Sequence, residues 1–226
     1  MQLHLFSTPG EQGIESIVEA SRLLLDGRSD SRLAYLPLAS LSAQRWLELI
    51  EISFKGLARV EMIDAETMTL DEMESILRRA SAAYIPGGNT FLLNHRLHVS
   101  KLMSYLRKKI QAGLPLLAYS AGTVLCGPNI LTSKDMNTVE TTHFDGLKLT
   151  PFNFLVHYGR DGYGGAVHDE WVSDYHVFHE NPVILLADGA YLKIQGSKTL
   201  LMRGEAWILR KGQEKQLIEP DQMIGM

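Results

Sequence analysis

One cysteine, Cys126, stands among the 226 residues of the chain. No intrachain disulfide can form, so packing must hold the fold, and a reducing compartment suits it. Charge of neither sign accumulates: 22 Lys and Arg face 26 Asp and Glu, a formal net charge of −4. No basic cluster is long enough for a nucleic-acid footprint. No apolar run approaches the length of a membrane span. The opening MQLHLFSTPGEQ lacks a basic segment and turns polar after Phe6, so it reads as a strand rather than a secretory signal. The phosphate-cradling patterns G-x-G-x-x-G and G-x-x-x-x-G-K are missing as well. These absences point to a cytoplasmic protein with neither a nucleic-acid nor a membrane partner. At 45% hydrophobic and 21% charged, the composition supplies an ordinary globular core. The length suits one α/β domain over residues 1–226, with weak structural signals from about 213 onward.

What is present alternates. Residues 2–7 read as a strand and 14–25 as a helix with helical apolar spacing. Strand 33–38, helix 42–57, strand 60–63, helix 70–80 and strand 82–85 follow. Two helical stretches, 91–97 and 99–112, lead to a short apolar strand at 114–119. This βαβα order predicts a mainly parallel, doubly wound sheet with helices on both faces. Ligands in such sheets sit beyond the carboxyl ends of the strands. After Asn129 the pattern changes. Residues 149–156 read as a strand leading to His157, 158–165 as a Gly-rich loop, 169–180 as a helix and 183–186 as a strand. The runs 191–194, 199–202 and 206–209 predict an antiparallel meander on the sheet edge.

The stretch that organises the chain is LPLLAYSAGTVLCGP, residues 114–128. An uncharged strand runs into Ser120-Ala121-Gly122, with Ala118 as a further small neighbour. This is a strand–nucleophile–helix turn of the G-x-S-x-G type, with alanine in the first small position. Such a turn lifts the Ser120 hydroxyl out of the backbone beside helical N–H groups. An isolated turn of this kind more often only caps a helix, so partners are needed. Of eight histidines, His157 ends an apolar run and opens a Gly-rich loop, where α/β sheets place catalytic side chains. His95 and His98, three apart on a helix, lack an evident third metal ligand, and His176 and His179 read as a solvated surface pair. Asp188, before Gly189 at a strand end, and Asp135, after the serine helix, are the candidate acids. Gly87 and Gly88, in Pro86-Gly87-Gly88-Asn89-Thr90 after another strand, offer N–H groups that approach a substrate without an intervening Cβ. The N–H of Ala121 is the usual second oxyanion donor. Cys126 lies beyond the turn, inside the short helix, as a buried structural thiol.

Gly87-Gly88-Asn89-Thr90 after one strand, Ser120-Ala121-Gly122 after the next and His157 after an apolar strand together resemble the serine dipeptidase E family. That family includes α-aspartyl dipeptidases and, more distantly, cyanophycinases; the likeness extends to about Ile194. It implies a fold like class I glutamine amidotransferases, with serine in place of their cysteine. It implies Ser120 as nucleophile, His157 as general base, and Gly88 and Ala121 as oxyanion hole. Asp135 and Asp188 each match an acidic position of the family, Asp188 with a shorter acid than usual, and Asp188 is favoured as the orienting acid. Gly87, Asn89, Thr90, Arg160 and His168 are the candidate substrate-binding residues. No metal and no organic cofactor is called for; the partner is a small peptide, and a homodimer is the oligomer considered. One departure concerns specificity. The segment Val167-His168-Asp169-Glu170-Trp171 holds no arginine where the dipeptidases clasp an aspartate, and Arg160 is the nearest. Strict preference for N-terminal aspartate is therefore not expected. The alternatives are a cyanophycinase-like hydrolase of β-linked aspartyl peptides and a catalytically silent binding module.

Overall fold

The computed structural model describes residues 1–10, 13–25, 30–160, 164–220 and 224. In chain order the elements are β1 (Gln2–Phe6), α1 (Ile14–Leu25), β2 (Arg32–Tyr35), α2 (Ala43–Ser53), β3 (Arg59–Met62), α3 (Leu70–Arg79), β4 (Ala82–Ile85), α4 (Thr90–Val99), α5 (Leu102–Gln111), β5 (Leu116–Tyr119) and α6 (Ala121–Leu125). There follow β6 (Asn153–Tyr158), α7 (Gly164–Phe178), β7 (Val183–Ala187), β8 (Tyr191–Gln195), β9 (Lys198–Arg203), β10 (Ala206–Leu209) and β11 (Gln216–Leu217).

Seven strands form the central sheet in the order β3-β2-β4-β5-β1-β8-β9. The five strands from β3 to β1 are parallel, with Leu3 opposite Leu116 and Ala83 opposite Leu116 on its other side. Side chains alternate across a strand, and here both faces are buried. Leu3 and Leu5, Leu116 and Ala118 point into a core filled by α3, α4, α5 and α6. Phe6 and Leu117 point the other way, into a core built with Ile17 of α1 and Ile50 of α2. Helix α3 has the most clearly specified start: Thr69 accepts from the Glu72 N–H while the Glu72 carboxylate accepts from the Thr69 N–H, a complete capping box.

Beyond β5 the chain departs from the expected layout. Residues 149–152 are irregular, and the strand begins at Asn153 and contains His157 instead of stopping before it. The expected edge meander is divided between two sheets. The hairpin β8–β9 extends the central sheet antiparallel beside β1, whereas β10 joins a second sheet of order β11-β10-β7-β6. Short alternating runs give the same local signal whether they stay in one sheet or switch, so the division is invisible to pattern reading. Among the described residues of the tail, β11 pairs with β10, and Ile218 and Ile224 enter the main core. Residues 221–223 and 225–226 lie outside the described residues.

The second sheet packs one face, through Phe154, Val156, Ile184 and Leu186, into the same core as α6. Its other face, with Leu155, Val183 and Leu185, is covered by Val172 and Tyr175 of α7. Among the described residues no helix is long and apolar enough to cross a membrane.

Candidate active site

Five chain segments that end strands or turn out of them meet at one edge of the core. From the central sheet come Ser7-Thr8 after β1, Pro86-Gly87-Gly88 after β4 and Ser120 after β5. From the second sheet come His157 in β6 and Asp188 after β7.

Ser120 has φ 52° and ψ −114°, a conformation costly for a non-glycine residue. The surroundings leave it no alternative. Its N–H donates to the Phe6 carbonyl and its carbonyl accepts from Val124 as α6 begins. Thr123, fully buried, donates to both Phe6 and Ala118 carbonyls and pins the turn from beneath. A Cβ on Gly122 would lie 2.3 Å from the Ile85 carbonyl oxygen, so no larger residue fits there. The side chain is thereby held up, with Oγ 2.8 Å from His157 Nε2.

His157 owes its aim to a β-bulge. The pairing of β6 with β7 slips between Val156 and Tyr158, and His157 takes φ 58°. Strict alternation would put Tyr158 on the face of Phe154 and Val156; the extra residue sends it to the opposite face with Leu155. The bulged residue is then free to leave the sheet toward Ser120. Its backbone N–H donates to Ser7 Oγ at 2.9 Å, and Ser7 in turn donates to the Leu186 carbonyl. On the far side of the ring, Nδ1 lies 2.7 Å from Asp188 Oδ1. Burial, opposed by the Asp188 carboxylate, lowers the imidazole pKa from its ordinary value, with Arg160 and Lys134 adding to the effect. The ring is therefore neutral near pH 7, as a proton acceptor must be.

Gly88 has φ 137°, and a Cβ there would meet the Ala39 carbonyl at 2.4 Å. At Gly87 a Cβ would strike the Tyr119 ring at 2.7 Å and Ser120 Cβ at 3.0 Å. The loop is glycine because its backbone lies against the Tyr119–Ser120 turn at Gly87 and against Ala39 at Gly88. The Ala121 N–H opens α6, where helical N–H groups have no partner within the helix.

The remaining sequence candidates separate. The His157 ring is hydrogen-bonded to Asp188 and not to Asp135, whose carboxylate accepts from the Thr90 N–H (2.7 Å), Thr90 Oγ1 (2.6 Å) and Ser133 Oγ, capping α4. Thr90 is thus buried and engaged. Asn89 is the N-cap of α4, accepting from Leu92 and donating to the Met136 carbonyl. Arg160 turns to the site acid, with Nε 2.5 Å from Asp188 Oδ2, rather than standing ready for a substrate carboxylate. His168 is fully buried in α7; its Nδ1 accepts from the Gly159 N–H and its ring lies against Tyr158 and Trp171. It supports the loop after His157 and has no surface to offer a ligand. Asp161 and Tyr163 of the Gly-rich loop lie outside the described residues. His98 stacks on His143, away from the site, and His176 is buried against the Asn181 carbonyl, not solvated.

Sequence reasoning passed over Ser7, read only as the last residue of a strand, and Thr8, read only as part of the break after it. Ser7 links the two sheets, and Thr8 Oγ1 accepts from the Gly189 N–H behind Asp188. A serine and a threonine directly after the apolar Leu5-Phe6 end of the strand were the available signal.

A strained serine at a strand–helix turn on a mainly parallel sheet, within hydrogen-bond reach of a histidine, is the layout of a serine-type peptidase. The sequence profile of peptidase family S51 matches residues 5–202, and the chain belongs to that family. Peptidase E of Nostoc sp. is 30% identical over 201 residues, covering 86% of this chain and 82% of its own. A Drosophila melanogaster protein named "Probable alpha-aspartyl dipeptidase" is 34% identical over 139 residues, covering 59% of this chain and 58% of its own. In fold, the chain is similar to a Listeria monocytogenes EGD-e protein described as a "Putative Peptidase E Protein" (TM-score 0.73, 24% identity, 90% of this chain and 98% of that one). It is also similar in fold to a peptidase from an acI-B1 Actinobacterium (TM-score 0.76, 15% identity, 100% of this chain and 96% of that one).

Proposed function

We propose that the chain is a cytoplasmic dipeptidase that hydrolyses short peptides through Ser120, His157 and Asp188. The observation that carries this is the continuous hydrogen-bonded line from Ser120 Oγ to His157 Nε2 (2.8 Å) and from His157 Nδ1 to Asp188 Oδ1 (2.7 Å). Ser120 Oγ attacks the scissile carbonyl while His157 Nε2 accepts its proton. The carbonyl oxygen becomes an oxyanion and accepts from the N–H groups of Gly88 and Ala121. His157 then gives the proton to the leaving amine, the C–N bond breaks, and an acyl-enzyme remains. Water, deprotonated by His157, attacks the ester and returns Ser120. Asp188 accepts from Nδ1–H, which fixes the tautomer that exposes the Nε2 lone pair. Arg160, ion-paired to Asp188, supports the acid rather than a substrate aspartate, so no strict preference for N-terminal aspartate is expected.

A fluorophosphonate probe should label the native protein and spare Ser120→Ala, and only the native protein should hydrolyse Xaa-Leu dipeptides. Absence of labelling in the native protein would favour a silent binding module. The cytoplasmic assignment is supported by the single, buried, unpaired thiol of Cys126, and cell fractionation checks it.

A further inference from the structure

Beside the oxyanion loop opens a cavity of about 600 Å³ that none of the chemical steps above uses. Gly87, Gly88 and Tyr119, the residue before the nucleophile, form the part nearest Ser120. Tyr35 and Tyr84, both almost wholly buried, and Trp46 and Leu49 of α2 contribute its aromatic and aliphatic lining. Among the described residues the lining contains no Asp, Glu, Lys, Arg or His. Leu41, Trp46 and Leu49 are large, apolar and exposed around this one opening, at 84%, 48% and 44%. Three such side chains left in water at a single concavity mark a place that an apolar group can cover.

We infer that this cavity receives the side chain on the acyl side of the scissile bond, the first residue of a dipeptide, and selects a bulky apolar or aromatic one. The inference rests on the proposed hydrolytic reading and adds the substrate class to it. The side follows from the chemistry. His157 protonates the leaving amine, so the leaving half lies by His157. No lining residue of the cavity comes from β6 or β7, the strands that bring His157 and Asp188. The acyl half therefore extends the other way, past Gly88. The class follows from charge and size. An aspartate side chain placed there would give up its hydration and meet no cation among the described lining residues; Arg160, whose charge reaches Tyr119, is held by Asp188. Among the described residues, Arg160 presents its Nε to Asp188 and does not line the cavity. The three tyrosines can donate hydrogen bonds but carry no charge; burial pushes Tyr35 up to about 12 and raises Tyr84 and Tyr119 as well. A space of this volume admits even the largest aromatic side chain.

The test compares Phe-Leu, Leu-Leu, Lys-Leu and Asp-Leu. The native enzyme should turn over Phe-Leu with a kcat/KM at least about tenfold above Asp-Leu. Leu49→Arg places a cation at the mouth and should shift the Asp-Leu to Phe-Leu ratio upward by roughly tenfold. Trp46→Ala, which removes an apolar wall without adding charge, should lower Phe-Leu turnover several-fold more than Asp-Leu turnover. A native preference for Asp-Leu, equal turnover of both, or a ratio that neither variant moves would overturn the inference. Calorimetric binding of the same peptides to Ser120→Ala separates it from the hydrolytic reading. If the native protein takes up no fluorophosphonate yet Ser120→Ala binds Phe-Leu more tightly than Asp-Leu, catalysis fails and the pocket assignment stands. If labelling succeeds but Asp-Leu binds as tightly or better, the pocket assignment alone fails.

Discussion

The central sheet and the second sheet contribute to the same site by opposite means. The central sheet carries Ser120 and the glycine loop, the proposed nucleophile and oxyanion donor, and it holds them by exclusion: at Gly87, Gly88 and Gly122 even a methyl group would collide with a neighbour. The second sheet carries His157 and Asp188, the proposed base and acid, mounted through hydrogen bonds at a bulge with their side chains 18% and 37% exposed. Backbone geometry fixed by packing cannot adjust, which suits an oxyanion hole that must be ready before charge develops. A base must exchange protons with serine, amine and water in turn, and a partly open, hydrogen-bonded mounting permits that. The lesson is that one half of the site is built for position and the other for traffic.

The strongest way to break the second half is at its acid. Asp188→Asn should lower kcat by about 10³–10⁴-fold with labelling of Ser120 greatly slowed, because the imidazole loses its orienting acceptor. The pH profile sharpens this. A lowered His157 pKa means that the protonated, inactive form appears only in more acid solution, so the rising limb of kcat/KM should have its midpoint below 6.5. Since Asp188 is the group that raises the His157 pKa, Asp188→Asn should move that midpoint to still lower pH.

The first half should show its sensitivity in stability. His4, fully buried in β1 with its Nδ1 2.5 Å from Tyr191 Oη, has a pKa lowered to about 4 by burial and, secondarily, by Lys193. Between 6.5 and 4 the unfolded chain takes up a proton that the folded chain refuses. Stability is therefore lost as pH falls through that window, by at most about 3 kcal/mol from this residue. Urea midpoints from pH 7 to pH 4 should fall, and His4→Gln should flatten that slope.

Two smaller changes address the joins. Ser7→Ala leaves the His157 N–H and the Leu186 carbonyl without their partner, so unfolding free energy should drop by about 1–3 kcal/mol. If the two sheets were positioned by apolar packing alone, kcat would be unaffected; a fall of about tenfold is expected. Asp135→Asn should cost about 1 kcal/mol at the start of α4 and only a few-fold in kcat, read by thermal melts and steady-state kinetics.

The central sheet was largely legible in the sequence, and the reason is local. Strand 82–85 and the strand ending at Tyr119 are apolar runs bounded by Pro86-Gly87 and Ser120, and both emerge with those limits or within two residues of them. Periodicity and punctuation are properties of neighbours in the chain. The second sheet depends on partners far away. Pro151, which has no N–H to give a ladder, was the local signal that the strand starts after it rather than at Leu149, but a bulge at His157 is defined only by the register of β7 opposite. The same holds within the site. The Ser120 turn carries its own small-residue signature. The partner of Asp135 is Thr90, 45 positions away, and no spacing rule distinguishes that cap from a catalytic acid. Arg160 was visible as the nearest arginine, but its pairing with Asp188 spans a strand order that the sequence does not print.

Asp135 grips Thr90 while Asn89 grips Met136, so the glycine loop and the segment downstream of the serine helix are stitched together twice. Of the two amides proposed to cradle a developing negative charge, Gly88 lies in the glycine loop and Ala121 opens the serine helix, so a shift of the downstream segment is passed to one donor and not directly to the other.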